Sequence, residues 1–295
     1  MKPLICFIAA IISFGTLISC SNSSRNEQLK EDAVRIIRNK GVEIAYIDIG
    51  KSDTTLLFVH GWAINKDYWS NQVAYFGNRY RVVAIDLPGF GESGKNRDKW
   101  GTTEYASDVD SVIKELDLNK VILIGHSMAG DIVLQAAIDN SDKVIGIVGV
   151  DNFKNVGAPE NPADKKGFAE AISAMKKNFK AIAIPYFNQQ LFSKTTSPQI
   201  KKRIVDDVAK ADTTIAVAAM EQGNDFNEAD KLQQSKKKLY LINSDVHPTE
   251  TKYMAAKKIP FLVFYTKGTG HFGMVEAPNE FNRDLEQIIA DIGKK

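Results

Sequence analysis

The chain has 295 residues, two cysteines and a formal net charge of +2. That charge makes no general case for nucleic acid or acidic partners. A hydrophobic share of 44% beside 25% charged residues excludes a disordered or fibrous chain. No internal repeat is visible.

The first element is an export signal. Met1-Lys2-Pro3 is followed by an apolar run from Leu4 to Ile18 that Ser13, Gly15 and Thr16 interrupt. A basic start, a short apolar core and small residues before a cleavage point describe a secretory signal, too short for an ordinary membrane span. Leu17-Ile18-Ser19-Cys20 resembles the bacterial lipobox, which implies a signal peptide over 1–19 and a fatty-acid (palmitate-type) anchor on Cys20. The expectation is an exported, membrane-anchored lipoprotein facing the extracytoplasmic side. Residues 20–40 read as a polar tether and lead-in. Cys6 leaves with the signal, so no internal disulfide is expected, and the mature domain depends on its own core.

Seven apolar runs follow: 42–49, 54–59, 80–85, 121–124, 144–150, 238–242 and 260–265. Helical patterns lie between several of them, including 103–116 and 278–292. Apolar strands alternating with helices predict a mostly parallel sheet covered on both faces, with functional groups at the carboxyl ends of the strands. Residues 152–235 break the alternation with helical spacings such as Phe168, Ile172, Met175 and Phe179. They predict a helical cap inserted into a core of 41–151 and 236–295. Helices packed merely on the outside are the alternative.

Gly125-His126-Ser127-Met128-Ala129-Gly130 stands between an apolar strand and a helix. A serine among small residues on such a turn is a nucleophile elbow. Ser127 is therefore the candidate nucleophile, and the helix start beside it favours developing negative charge. Ala129 stands where a second glycine is usual. His271, in Gly268-Thr269-Gly270-His271-Phe272 after the last apolar strand, is the candidate base. The acid belongs between them in chain order. Asp245, one helix and one strand before His271, is preferred; Asp151, at the end of the strand after the elbow, is the rival, otherwise a binder of backbone amides. The backbone amides of Trp62, in His60-Gly61-Trp62, and of Met128 are the expected oxyanion donors.

This set resembles the α/β-hydrolase family over roughly residues 42–293, with the cap poorly matched. The carriers are His60-Gly61-Trp62, Asp86-Leu87-Pro88-Gly89-Phe90-Gly91-Glu92-Ser93, the elbow at Ser127, Asp245 and His271. The resemblance implies an α/β-hydrolase fold and, with serine at the elbow, an esterase-like serine hydrolase. The expected reaction cleaves a small to medium carboxylic ester or related acyl compound through an acyl-enzyme. A binding or sensor protein on the same fold and a membrane-surface lipase are the alternatives. Gly89-Phe90-Gly91-Glu92-Ser93-Gly94 matches a dinucleotide fingerprint, but loop-like residues follow it where a helix is required. Neither a cofactor nor a metal is expected. Phe153, Phe168, Met175, Phe179, Tyr186, Phe187 and Phe192 are candidates for an apolar pocket wall, and Lys165, Lys166, Lys176 and Lys177 for the solvated face of the same helices.

Overall fold

The computed structural model describes residues 34–223 and 226–294. Cys20 and the expected signal lie outside these residues. Among the described residues the sheet has eight strands: β1 (Val34–Asn39), β2 (Val42–Ile49), β3 (Thr55–Val59), β4 (Arg81–Ile85), β5 (Val121–His126), β6 (Val144–Val150), β7 (Leu239–Ser244) and β8 (Phe261–Thr266). Their spatial order is β1-β2-β4-β3-β5-β6-β7-β8. The pairings from β4 to β8 are parallel, and β1 and β2 attach antiparallel at one edge. The mostly parallel sheet expected from the alternating pattern is what the chain builds.

β3 and β5 are buried at every residue, as strands covered on both faces must be. β1 is the strand missing from the expected series; it falls in the stretch read as tether. It pairs with β2 from Val34↔Ile47 to Asn39↔Val42 across a two-residue turn at Lys40 and Gly41, both with positive φ. Arg35 and Arg38 hide it in a hydropathy reading, and such charges suit an edge strand.

The helices beside the sheet are α1 (Ser70–Phe76), α2 (Thr102–Glu115) and α3 (Ala129–Asp139). The insertion then supplies α4 (Pro162–Lys177), α5 (Phe179–Tyr186), a π-helical turn (Phe187–Leu191), α6 (Pro198–Lys210), α7 (Thr213–Gln222) and α8 (Glu228–Ser235). The sheet's last two strands carry α9 (Thr251–Ala256), α10 (Gly273–Glu276) and α11 (Pro278–Ile292). α8 packs on α3, so the last helix of 152–235 belongs to the core layer rather than to the cap. Trp62 ties core to cap: its indole Nε1 donates to the Ala216 carbonyl on α7 at 2.7 Å. Among the described residues, no helix is long and apolar enough to cross a membrane.

The chain crosses from β3 to β4 on one side and returns to β5 on the other. The carboxyl ends of β3 and β5 therefore flank the switch point where sites form in open parallel sheets. His60-Gly61-Trp62 leaves β3 there, and Ser127 leaves β5. The glycine-rich segment after β4 opens no helix. It wraps the buried Asp86 carboxylate, which accepts from the backbone amides of Lys66 (2.7 Å) and Glu92 (2.9 Å) and from Lys66 Nζ (2.9 Å).

Candidate active site

Ser127 sits at φ +53°, a left-handed conformation that a non-glycine residue adopts only when its surroundings impose it. Three contacts impose it. The Ser127 amide donates to Val150 O at 2.9 Å, Gly130 N donates to Ser127 O at 2.9 Å, and Asn152 Nδ2 donates to Ser127 O at 3.1 Å. Gly125 is required because a β-carbon there would lie 2.4 Å from the Ala129 carbonyl oxygen, so helix α3 starts directly against the strand it follows. Ala129 is itself buried and takes the place of the usual glycine without crowding the turn.

The His60-Gly61-Trp62 backbone lies against this elbow. A β-carbon on Gly61 would stand 3.0 Å from Ser127 Cβ and 2.6 Å from His126 Nδ1. His60 fixes the loop. Its Nδ1–H donates to Gly61 O at 2.7 Å and its Nε2 accepts from Leu87 N at 3.0 Å, and burial lowers its pKa, so the ring is a neutral brace. Trp62 follows Gly61, and Met128 follows Ser127 as the residue capping α3. The two residues chosen for oxyanion donation thus flank Ser127.

His271 comes from the loop after β8, held from three sides. Its amide donates to Leu191 O of the π-helical turn at 2.7 Å, and its carbonyl accepts from His126 Nε2 at 2.9 Å. The Glu276 carboxylate takes the flanking amides of Gly270 (3.1 Å) and Phe272 (3.3 Å). His126 is neutral. Burial first, and then the neighbouring His271, pull its pKa down to about 3.

The acid on His271 is Asp151, not Asp245. His271 Nδ1 donates to Asp151 Oδ2 in a short hydrogen bond. Asp245 is exposed, and its carboxylate accepts the Gly268 amide at 3.0 Å instead. The physical reason is the turn after β6. Asp151 and Phe153 both adopt positive φ (+48° and +51°), which swings the Asp151 carboxylate back across the strand ends toward His271. The other Asp151 oxygen accepts from Ser244 N at 2.8 Å and from Lys154 Nζ at 2.8 Å. Burial alone would raise the Asp151 carboxyl; His271 and Lys154 outweigh it and hold it well below the usual carboxylate range. Asn152 completes the turn: its Nδ2 reaches Gly125 O at 2.9 Å as well as Ser127 O, so one four-residue turn grips both the elbow and the histidine.

Sequence reasoning missed Asn152, Lys154 and Glu276 altogether. The one local signal was Asp-Asn directly after an apolar strand, two short polar residues suited to bonding backbone in a turn.

Ser127, His126, His271 and Trp62 open into one cavity of about 250 Å³. Its remaining wall is apolar, with Phe168 and Met175 from α4, Ile182 from α5, Phe187 and Leu191 from the π-helical turn and Met220 from α7. Among the described residues, no lysine, arginine, aspartate or glutamate lines it. Tyr186 also borders the cavity and is half exposed, which puts it at the rim. Of the other aromatic residues expected at the wall, Phe179 packs edge-on to Trp62 (5.6 Å between centroids) and Phe192 packs against Phe272 (6.2 Å). Phe153 is buried in the core.

Residues 54–278 match the family profile described as alpha/beta hydrolase fold, and the chain belongs to that family. Over 255 residues it is 24% identical to the dihydrolipoyllysine-residue acetyltransferase component of an acetoin cleaving system from Cupriavidus necator, covering 84% of this chain and 67% of that protein. Over 91 residues it is 40% identical to a non-heme chloroperoxidase of Burkholderia pyrrocinia, but this spans only 30% of the chain and 33% of that relative. The structure of a thermophilic esterase from Thermogutta terrifontis superposes with a TM-score of 0.74 at 19% identity, covering 88% of this chain and 98% of the esterase; at that identity the likeness is one of fold.

Proposed function

We propose that the protein is a serine hydrolase that cleaves a small to medium, uncharged carboxylic ester through an acyl-enzyme on Ser127. The observation that carries this reading is a single apolar cavity holding both an elbow serine at positive φ and a histidine paired to a buried aspartate. The Nδ1–H of His271 is committed to Asp151, which leaves Nε2 as the acceptor for the Ser127 proton. Ser127 Oγ attacks the ester carbonyl while His271 takes the proton, and Asp151 stabilises the imidazolium that forms. The amides of Trp62 and Met128 receive the oxyanion. His271 then protonates the leaving alkoxide, and a water activated by the same ring releases the acid.

The cavity selects the acyl compound. Its volume lies just below the usual range of about 300–1,000 Å³ for small-molecule sites, and among the described residues its wall offers no cation to a second carboxylate. The site thus favours neutral, compact esters over long-chain triglycerides and dicarboxylic substrates. Kinetics on p-nitrophenyl esters from acetate to palmitate test this. The expected kcat/KM climbs with each methylene that fits, by about 1 kcal/mol of transition-state binding, and then falls. Ser127→Ala abolishes turnover at every length. A rate still rising at palmitate contradicts the compact site and favours the lipase alternative.

The proposal includes export and lipid attachment at Cys20, on the residues before it. In a bacterial host the wild type is expected to incorporate labelled fatty acid and sediment with membranes, and Cys20→Ala is expected to incorporate none. Equal labelling of both contradicts it.

A further inference from the structure

We propose that Lys154 is a positioning residue that sets the acidic limb of the enzyme's pH profile by sharing the Asp151 carboxylate with His271. The inference rests on the hydrolase reading above and on the geometry of one turn. Lys154 is three residues beyond Asp151, and the positive φ of Asp151 and Phe153 folds the pair into contact. Its Nζ stands 2.8 Å from Asp151 Oδ1 and donates to His247 O at 2.7 Å, with Ser244 Oγ at 3.4 Å. The Lys154 side chain is only 19% exposed and that of Asp151 only 5%, so solvent screens the pair weakly.

The consequence follows from charge. A carboxylate that faces only a histidine favours the protonated ring. Here the same carboxylate already faces an ammonium on its other oxygen, so the pull on a proton at His271 is weakened. Catalysis needs the neutral ring, so Lys154 keeps the enzyme active further into the acid range. The other groups facing His271 do not supply this effect. His126 is neutral, Ser127 and Tyr186 are uncharged, and the Glu276 carboxylate is spent on the Gly270 and Phe272 amides. From the β7 loop, Asp245 binds the Gly268 amide, and His247 Nε2 lies 3.1 Å from Gln190 O. Among the described residues, Lys154 is the lysine or arginine in direct contact with Asp151.

The test compares wild type with Lys154→Met, Lys154→Gln and Lys154→Arg. Two readouts are taken: the pH dependence of kcat/KM on a p-nitrophenyl ester, and the pH titration of the His271 ring by NMR. In Lys154→Met and Lys154→Gln both midpoints are expected to move up by about one pH unit, the low end of what removing one neighbouring charge does. The alkaline plateau stays within about tenfold. Lys154→Arg keeps the charge and the wild-type midpoint. A purely structural role lowers the plateau and leaves the midpoint in place in both neutral variants; that result overturns the proposal. The NMR arm needs no turnover. An inactive wild type whose His271 midpoint still shifts in the variants contradicts the hydrolase reading and leaves the charge coupling standing.

Discussion

Both oxygens of Asp151 are in use: one receives the Nδ1–H of His271, and the other holds Ser244 N and Lys154 Nζ. Asp151→Asn replaces an acceptor with an amide that favours the wrong histidine tautomer. It is expected to lower kcat on the order of 10⁴-fold in a folded protein, the loss seen when a serine protease triad is changed in the same way. Asp245→Asn keeps an acceptor oxygen for the exposed Gly268 amide, removes only a charge away from His271, and is expected to cost less than tenfold. Steady-state kinetics on both variants check the ranking. The placement of Ser127 and His271 at strand ends beside one cavity was legible in the sequence because each sits in a short motif of small residues. The acid was not, because Asp151 and Asp245 both follow apolar strands and both lie between serine and histidine in the chain. What separates them is the backbone of the turn after β6, where two non-glycine residues take positive φ. Asp151-Asn152 signals a turn there, but nothing in the sequence announces the positive φ at Phe153 or the direction in which the Asp151 carboxylate is turned.

At the level of elements, the cap and the core meet at defined points. The π-helical turn Phe187–Leu191 presents Leu191 O to the His271 amide and Phe187 to the cavity, and such turns recur at functional sites. Phe187→Ala is expected to weaken the preference for the best-fitting ester by tenfold or more and to leave acetate hydrolysis less affected. Measuring kcat/KM across the chain-length series separates this from a general loss. The junction of α3 and α8 makes a different prediction. Asp131 on α3 meets Glu228 on α8, and burial, followed by their mutual repulsion in the case of Asp131, raises both carboxyls above the usual range. The folded state therefore holds protons that the unfolded chain releases near pH 4. Stability contributed by the pair is full at acid pH and declines as pH rises through neutrality. Asp131→Asn is expected to flatten that decline and to be more stable than wild type at pH 8 by roughly 1 kcal/mol, discounted for partial exposure. Urea unfolding at pH 5 and pH 8 reads the difference. The helices of this region were legible from their apolar spacing. That α8 belongs to the core layer was not, since its spacing resembles that of its neighbours and only packing assigns it.

Across the whole molecule, strand order gathers distant chain segments at the carboxyl ends of the parallel strands. His60 to Trp62, Ser127, Asp151 and His271 leave β3, β5, β6 and β8, and the cap closes an apolar chamber over them. The alternation of apolar runs and helices made this architecture readable, because a parallel sheet buried on both faces leaves continuous apolar strands. β1 escaped because an edge strand carries charge. The central claim is that Ser127 is the nucleophile activated by His271 and Asp151. Mass spectrometry after treatment with a fluorophosphonate tests it most directly. The account predicts one adduct per chain, mapped to Ser127, absent in Ser127→Ala and slowed by orders of magnitude in His271→Ala and Asp151→Asn. An adduct on another residue, or ester turnover undiminished in Ser127→Ala, would contradict it.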